Sequence, residues 1–257
     1  ALLFGTALAV RVMTYERFIP ALDYTDETGY YAYAEIYRGN PDRVWVDRNV
    51  LTPPPMHAFL SSQILNLADA VSDDPFQLPS TYFGWLRGWA AVLGVATTVI
   101  IAWAAWELGG PLAGWLAAFV WGLHPQIIDI NSLLIADGYM FFFVALALAT
   151  SIRAWKTDSP WWLLLSLLAG ISAIYSKFWV ASAVFPFLAT AAVMTARAPR
   201  RMVPWLALYA VIAASTAYGL LVVVDPLSSS SQMREVSTFN DDGLSNAFDP
   251  WRVTRNW

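Results

Sequence analysis

The chain has 257 residues, of which 58% are hydrophobic, 15% aromatic and only 13% charged, with a mean hydropathy of +0.48. A soluble domain carries about a quarter charged residues, so this composition argues against both a disordered chain and a soluble globule. The lack of cysteine removes disulfide scaffolds, thiolate metal sites and cysteine nucleophiles, and a net charge of -4 supplies no basic face for nucleic acid. A membrane is the remaining solvent.

A crossing needs about 20 mostly apolar residues, and seven segments are candidates: Ala1 to Met13, Tyr82 to Trp106, Pro111 to Leu123, Leu133 to Ala154, Trp161 to Tyr175, Phe178 to Met194 and Met202 to Val224. The expected fold is an all-α polytopic membrane protein, a single transmembrane module over 1–257. A long first extracytoplasmic loop covers 14–80 and a further extracytoplasmic segment 225–257. The start at Ala1 inside an apolar run and the end at Trp257 in a polar stretch read as a piece of a longer protein.

Orientation follows from the basic residues, because Lys and Arg in short loops stay cytoplasmic. Arg153, Lys156, Arg197, Arg200 and Arg201 fall in alternate turns, whereas acids crowd the stretch from Tyr15 to Ser80. Within that stretch Glu27 to Tyr37 and Pro55 to Ala68 have helical apolar spacing and are expected to lie along the membrane surface. Tyr30 and Tyr31 read either as an interfacial aromatic belt or as a stacking surface for a sugar or lipid-carried substrate.

The groups that carry chemistry fall on one side of this topology. Asp26 and Glu27 follow the first span at the start of a helix. They read as helix-start acids, or as carboxylates that take a proton from an attacking hydroxyl or share a divalent cation with a phosphate. Lys177 sits in a short outer turn, where a cation either snorkels or binds an anion; Arg87, just inside the second span, has the same two readings. An outer loop supplies His124, Asp129, Asn131 and Asp137, and Asp137 could equally cap the fourth span. No ionisable residue stands out at mid-span, where a transporter would place one. Phosphate loops, His-Glu-x-x-His pairs, nucleophile elbows and dinucleotide fingerprints are missing from the sequence.

The order of Asp26-Glu27, Tyr30-Tyr31, Pro53-Pro54-Pro55-Met56, Arg87, His124-Pro125, Asp137 and Gly170 to Lys177 resembles the membrane glycosyltransferases of the GT-C fold. It is most similar to the dolichyl-phosphate-mannose protein mannosyltransferase and aminoarabinose-transferase-like group. The resemblance implies a polyprenyl-phosphate-linked sugar donor and transfer to a protein, lipid or glycan acceptor on the extracytoplasmic face, here of a bacterial plasma membrane. It implies that Asp26 acts as base or orients the acceptor, with Glu27 its partner and Lys177 on the carrier phosphate. Arg87 and Asp137 match recurrent positions. The sequence departs from the aminoarabinose-transferase group at Gly29 and at Leu51, Thr52 and Pro53, which leaves sugar identity and metal use open, since the wider family has members with and without a metal. A second reading is a catalytically silent GT-C-like subunit of a larger membrane complex.

Overall fold

The computed structural model describes residues 2–15, 25–40, 55–71, 79–176 and 181–228. All of its regular structure is helical: α1 (Leu2–Tyr15), α2 (Thr25–Tyr37), α3 (Pro55–Val71), α4 (Pro79–Leu123), α5 (Pro125–Ile130), α6 (Ala136–Thr157), α7 (Pro160–Ser176), a 3-10 turn (Ala181–Val184), α8 (Phe185–Arg197) and α9 (Pro199–Ser228). Prolines open α3, α4, α5, α7 and α9, as expected of a residue whose fixed φ suits the first helical position and whose missing N–H is not needed there. By internal contacts the chain forms two compact units, residues 1–46 with 53–209 and residues 47–52 with 210–257. The described part of the second is the end of α9.

Both helices expected between the first and second candidate segments are present as α2 and α3. Two helical stretches among the described residues are long and apolar enough to cross a membrane, Thr81–Leu123 and Ala136–Thr157. The first is a hairpin. At Gly110 the backbone takes φ 79 and ψ -170, a region open essentially to glycine alone, and the helix breaks into a first arm (79–109) and a second arm (111–123). Gly114 abuts Ala102 and Trp106, and Gly122 abuts Thr98, so the arms run antiparallel with small residues at the seam. The arms match the second and third candidate segments. The second arm turns Leu112, Trp115, Leu116, Phe119 and Val120 outward, a three-and-four apolar stripe suited to lipid.

The first arm runs parallel to α6. Leu86 shares a core cluster with Leu134, just ahead of α6; Ala104 packs with Ala149 and Ile152; and Glu107 meets Arg153 at 2.9 Å and Lys156 at 3.6 Å. The helix α7 returns antiparallel along α6, with the Ser151 and Ser166 hydroxyls 2.8 Å apart in a seam of alanines, glycine and serines. One end of the array therefore carries Glu107, Arg153, Lys156 and the Asp158–Arg197 pair. The other carries Arg87, Glu27 and α3.

Two helix starts differ from expectation. The fourth segment begins its helix at Ala136, not Leu133, because Ile135 is extended (φ -133, ψ 155) and the Leu134 N–H is committed to Glu27 outside the helix. Asp137 accordingly lies in the first turn of α6, with Ile135 at the capping position. The sixth segment forms its α-helix only from Phe185, after the 3-10 turn; its first residues, Phe178 to Val180, lie outside the described residues.

The conformation at Gly110 makes a direct prediction. Gly110→Ala should destabilise the protein by roughly 1–3 kcal/mol, read as a lower unfolding midpoint in detergent, while Gly88→Ala, on the same helix with helical backbone and open space around its Cα, should cost less.

Candidate active site

The end of the bundle opposite Glu107 is organised by one carboxylate. Glu27, in the first turn of α2, accepts the Arg87 Nε–H on Oε1 at 2.9 Å and the Nη2–H on Oε2 at 2.6 Å. Oε1 also accepts the backbone N–H of Leu134 at 2.7 Å. Glu27 is 0% and Arg87 1% exposed. A guanidinium fork on a carboxylate is a strong, directional pair, and here it joins α2, the first arm of α4 and the segment leading into α6. Two residues singled out separately in the sequence, 60 positions apart, are thus each other's principal partners.

A second network clasps α2 to α3 and to the start of α4. Arg38 donates from Nη1 to Glu35 Oε1 at 2.7 Å, from Nε to Asn66 Oδ1 at 3.0 Å and from Nη2 to Asp69, while its guanidinium lies 5.6 Å from the centroid of the Tyr82 ring. The Tyr82 hydroxyl donates to Asp69 at 2.6 Å, and Asn40 donates to the other Glu35 oxygen at 3.1 Å. Tyr31 belongs to this clasp. Its ring packs on Tyr82 and Phe83 and its hydroxyl donates to Glu35 at 3.2 Å, so burial first, and the Glu35 charge second, push its phenol well above the usual range.

Tyr30 faces elsewhere. Its ring centroid lies 4.5 Å from that of His57, and the ring of Tyr139 on α6 meets the imidazole edge-on, centroids 4.7 Å apart. The Tyr139 hydroxyl is 3.0 Å from that of Ser61, one turn along α3 from His57. His57 is fully buried, and burial pushes its pKa down to about 3. Asp137 occupies the same end, two residues ahead of Tyr139 on α6. Among the described residues no three His, Asp or Glu side chains gather closely enough to hold a metal ion. The side chain of Asp26 and the whole of Lys177 lie outside the described residues; Asp26 has its backbone in the first turn of α2.

Sequence reasoning missed three groups here. His57 follows the triple proline and reads as one polar residue in an amphipathic helix. Arg38 lies three residues after Glu35, a spacing that marks a helical ion pair. Arg11, in α1, is 0% exposed and donates from Nη1 to the carbonyls of Ala7 at 3.0 Å and Gly122 at 2.9 Å. It fits because Gly94 has no side chain: a Cβ there would stand 2.6 Å from Arg11 Nε and 2.7 Å from Asn131 Cγ. A cation within an apolar run was its signal.

The sequence profile of the dolichyl-phosphate-mannose-protein mannosyltransferases matches residues 53–218, well over half of the chain. The chain belongs to that family. No curated protein and no solved structure matches it. The match runs from α3 into α9 and so includes Arg87, Asp137 and Lys177, whereas Asp26, Glu27, Tyr30 and Tyr31 precede it. Mannosyltransferase-family membership makes this a membrane protein of the glycosyltransferase class, and the Glu27–Arg87 junction ties its α2 to the matched region.

Removing one member of a buried ion pair leaves the other charge without its counter-ion, at a cost of about 3–5 kcal/mol. Glu27→Gln should lower the unfolding free energy by that order in detergent, and Glu27→Leu combined with Arg87→Met should recover much of it; a Glu27→Gln chain as stable as the parent would show that the pair does not hold α2 in place. Acid should act through His57. Its folded-state pKa lies below the ordinary 6.5, so between about pH 6.5 and 3 the unfolded chain binds a proton that the folded chain does not, and stability falls as pH falls through that window. His57→Phe should flatten this part of the pH profile of the unfolding midpoint.

Proposed function

We propose that this chain transfers a sugar from a polyprenyl-phosphate carrier to a protein, lipid or glycan acceptor, at the end of the bundle that carries Glu27 and Arg87. The observation that supports it most is the Glu27 junction, because a fully buried carboxylate bonded to Arg87 and to the Leu134 N–H fixes the first turn of α2 over the bundle end. Asp26 is the residue immediately before Glu27 in that turn. A base held by a rigid scaffold at a membrane face meets the acceptor without an ordering cost at the moment of reaction.

In the proposed reaction the acceptor oxygen attacks the anomeric carbon and forms the new glycosidic bond. The bond from that carbon to the phosphate oxygen breaks, and its electron pair leaves with the polyprenyl phosphate. The acceptor proton passes to the Asp26 carboxylate, and the ammonium of Lys177 stabilises the departing phosphate. Glu27 takes a positioning role, since both of its oxygens are engaged by Arg87. Ser176, the residue before Lys177, ends α7 at the end of the array where α7 packs on α3, which favours a donor phosphate on the same side as α2.

The extracytoplasmic side is favoured by charge. The opposite end carries Arg153, Lys156 and Arg197, with Arg200 and Arg201 opening α9, and basic residues of short loops stay in the cytoplasm. The resulting topology is the seven-span arrangement expected from the sequence, in a bacterial plasma membrane, with α2 and α3 lying along the outer surface.

Asp26→Asn is the test. In proteoliposomes supplied with a polyprenyl-phosphate-linked sugar it should abolish transfer and leave the unfolding midpoint unchanged; transfer at the parental rate would overturn the assignment.

A further inference from the structure

His57 is the titratable group of this site that the proposed reaction leaves unused. Its side chain is 0% exposed, and among the described residues neither ring nitrogen has a hydrogen-bond partner. A buried polar group without partners carries its full desolvation cost, and an apolar residue of the same shape would be neutral or better for folding. Stability therefore gives no reason for an imidazole here.

Its surroundings suggest one. Tyr139, 1% exposed, is held by Ser61, whereas Tyr30, partly exposed and three residues after Glu27 on α2, is the ring nearer to solvent. Tyr30 is thus the more exposed of the two rings and the one carried by the helix that holds Glu27. A neutral imidazole offers one N–H donor and one acceptor nitrogen, the pair that a sugar hydroxyl needs.

We infer that His57 binds a hydroxyl of the sugar on the lipid carrier, reached when Tyr30 turns aside, and that it is kept for recognition at the expense of stability. The inference rests on the glycosyl-transfer reading above. In the closed arrangement burial holds the ring neutral, so His57 presents one donor and one acceptor, and it is a binding group with no part in proton transfer.

The experiment compares two probes on the full chain in lipid nanodiscs: polyprenyl phosphate and polyprenyl-phosphate-linked mannose, each titrated against the unfolding midpoint. Both should raise the midpoint of the parent. His57→Phe, which keeps the ring contacts, should start from an equal or higher midpoint, bind the plain carrier as before, and bind the mannose-bearing lipid about tenfold more weakly, as expected for one lost hydrogen bond. His57→Asn should recover part of that loss by restoring a donor and an acceptor. His57→Leu repeats the comparison with a smaller side chain. Unchanged affinity for the mannose-bearing lipid in the folded Phe and Leu variants would overturn the role of His57 alone. Destabilisation of both apolar variants, or equal weakening of both probes, would make His57 a structural residue. A parent that binds neither probe would overturn the glycosyl-transfer reading and this inference with it.

Discussion

A single buried ion pair governs the site end of this protein. Glu27 and Arg87 are both withdrawn from water, and neither charge could remain there without the other. The pair requires α2 to sit on the first arm of α4, and the third hydrogen bond, from Leu134, requires the chain before α6 to stay extended. Three elements far apart in sequence are thereby fixed by one carboxylate. The Arg38 clasp then fastens α3 to the same platform, and the hydrophobic cluster of Leu65, Phe83, Leu86 and Leu134 fills the space beneath it.

The distribution of charge along the helices gives this platform its depth. Arg87 and Glu107 lie twenty residues apart on one continuous arm, or about 30 Å at 1.5 Å per residue, the thickness of a bilayer's hydrocarbon core. On α6 the interval from Asp137 to Lys156 is nearly the same. Between these levels the first arm and α6 carry no charged side chain apart from Arg153, which pairs with Glu107. The polar ends and the apolar middle are two consequences of one solvent.

Much of this was written openly in the sequence. Apolar runs bounded by proline and glycine mark the helices, and the break at Gly109-Gly110 separates two segments that the structure folds as a hairpin. Candidate residues were found by type and by order along the chain, and Glu27, Arg87, Tyr30 and Asp137 do gather at one end. What stayed hidden was partnership. Tyr30 and Tyr31 are adjacent and alike in the sequence, yet a helix turns successive side chains by about 100°, so one meets His57 and the other enters the Glu35 clasp. The burial of Arg11 was equally hidden, because it depends on a glycine 83 positions later in the chain.

The hairpin's second arm has thirteen residues after the break at Gly110, which gives it a reach of about 20 Å, well short of the first arm beside it. Lipid solvating its outward face of Leu112, Trp115, Phe119 and Val120 meets a hydrophobic wall shorter than its own acyl layer. Such mismatch is relieved by local thinning of the membrane. In the seven-span arrangement proposed above, the flank formed by this arm is where the two leaflets would draw together and bring the water on either side closer to the interior of the protein.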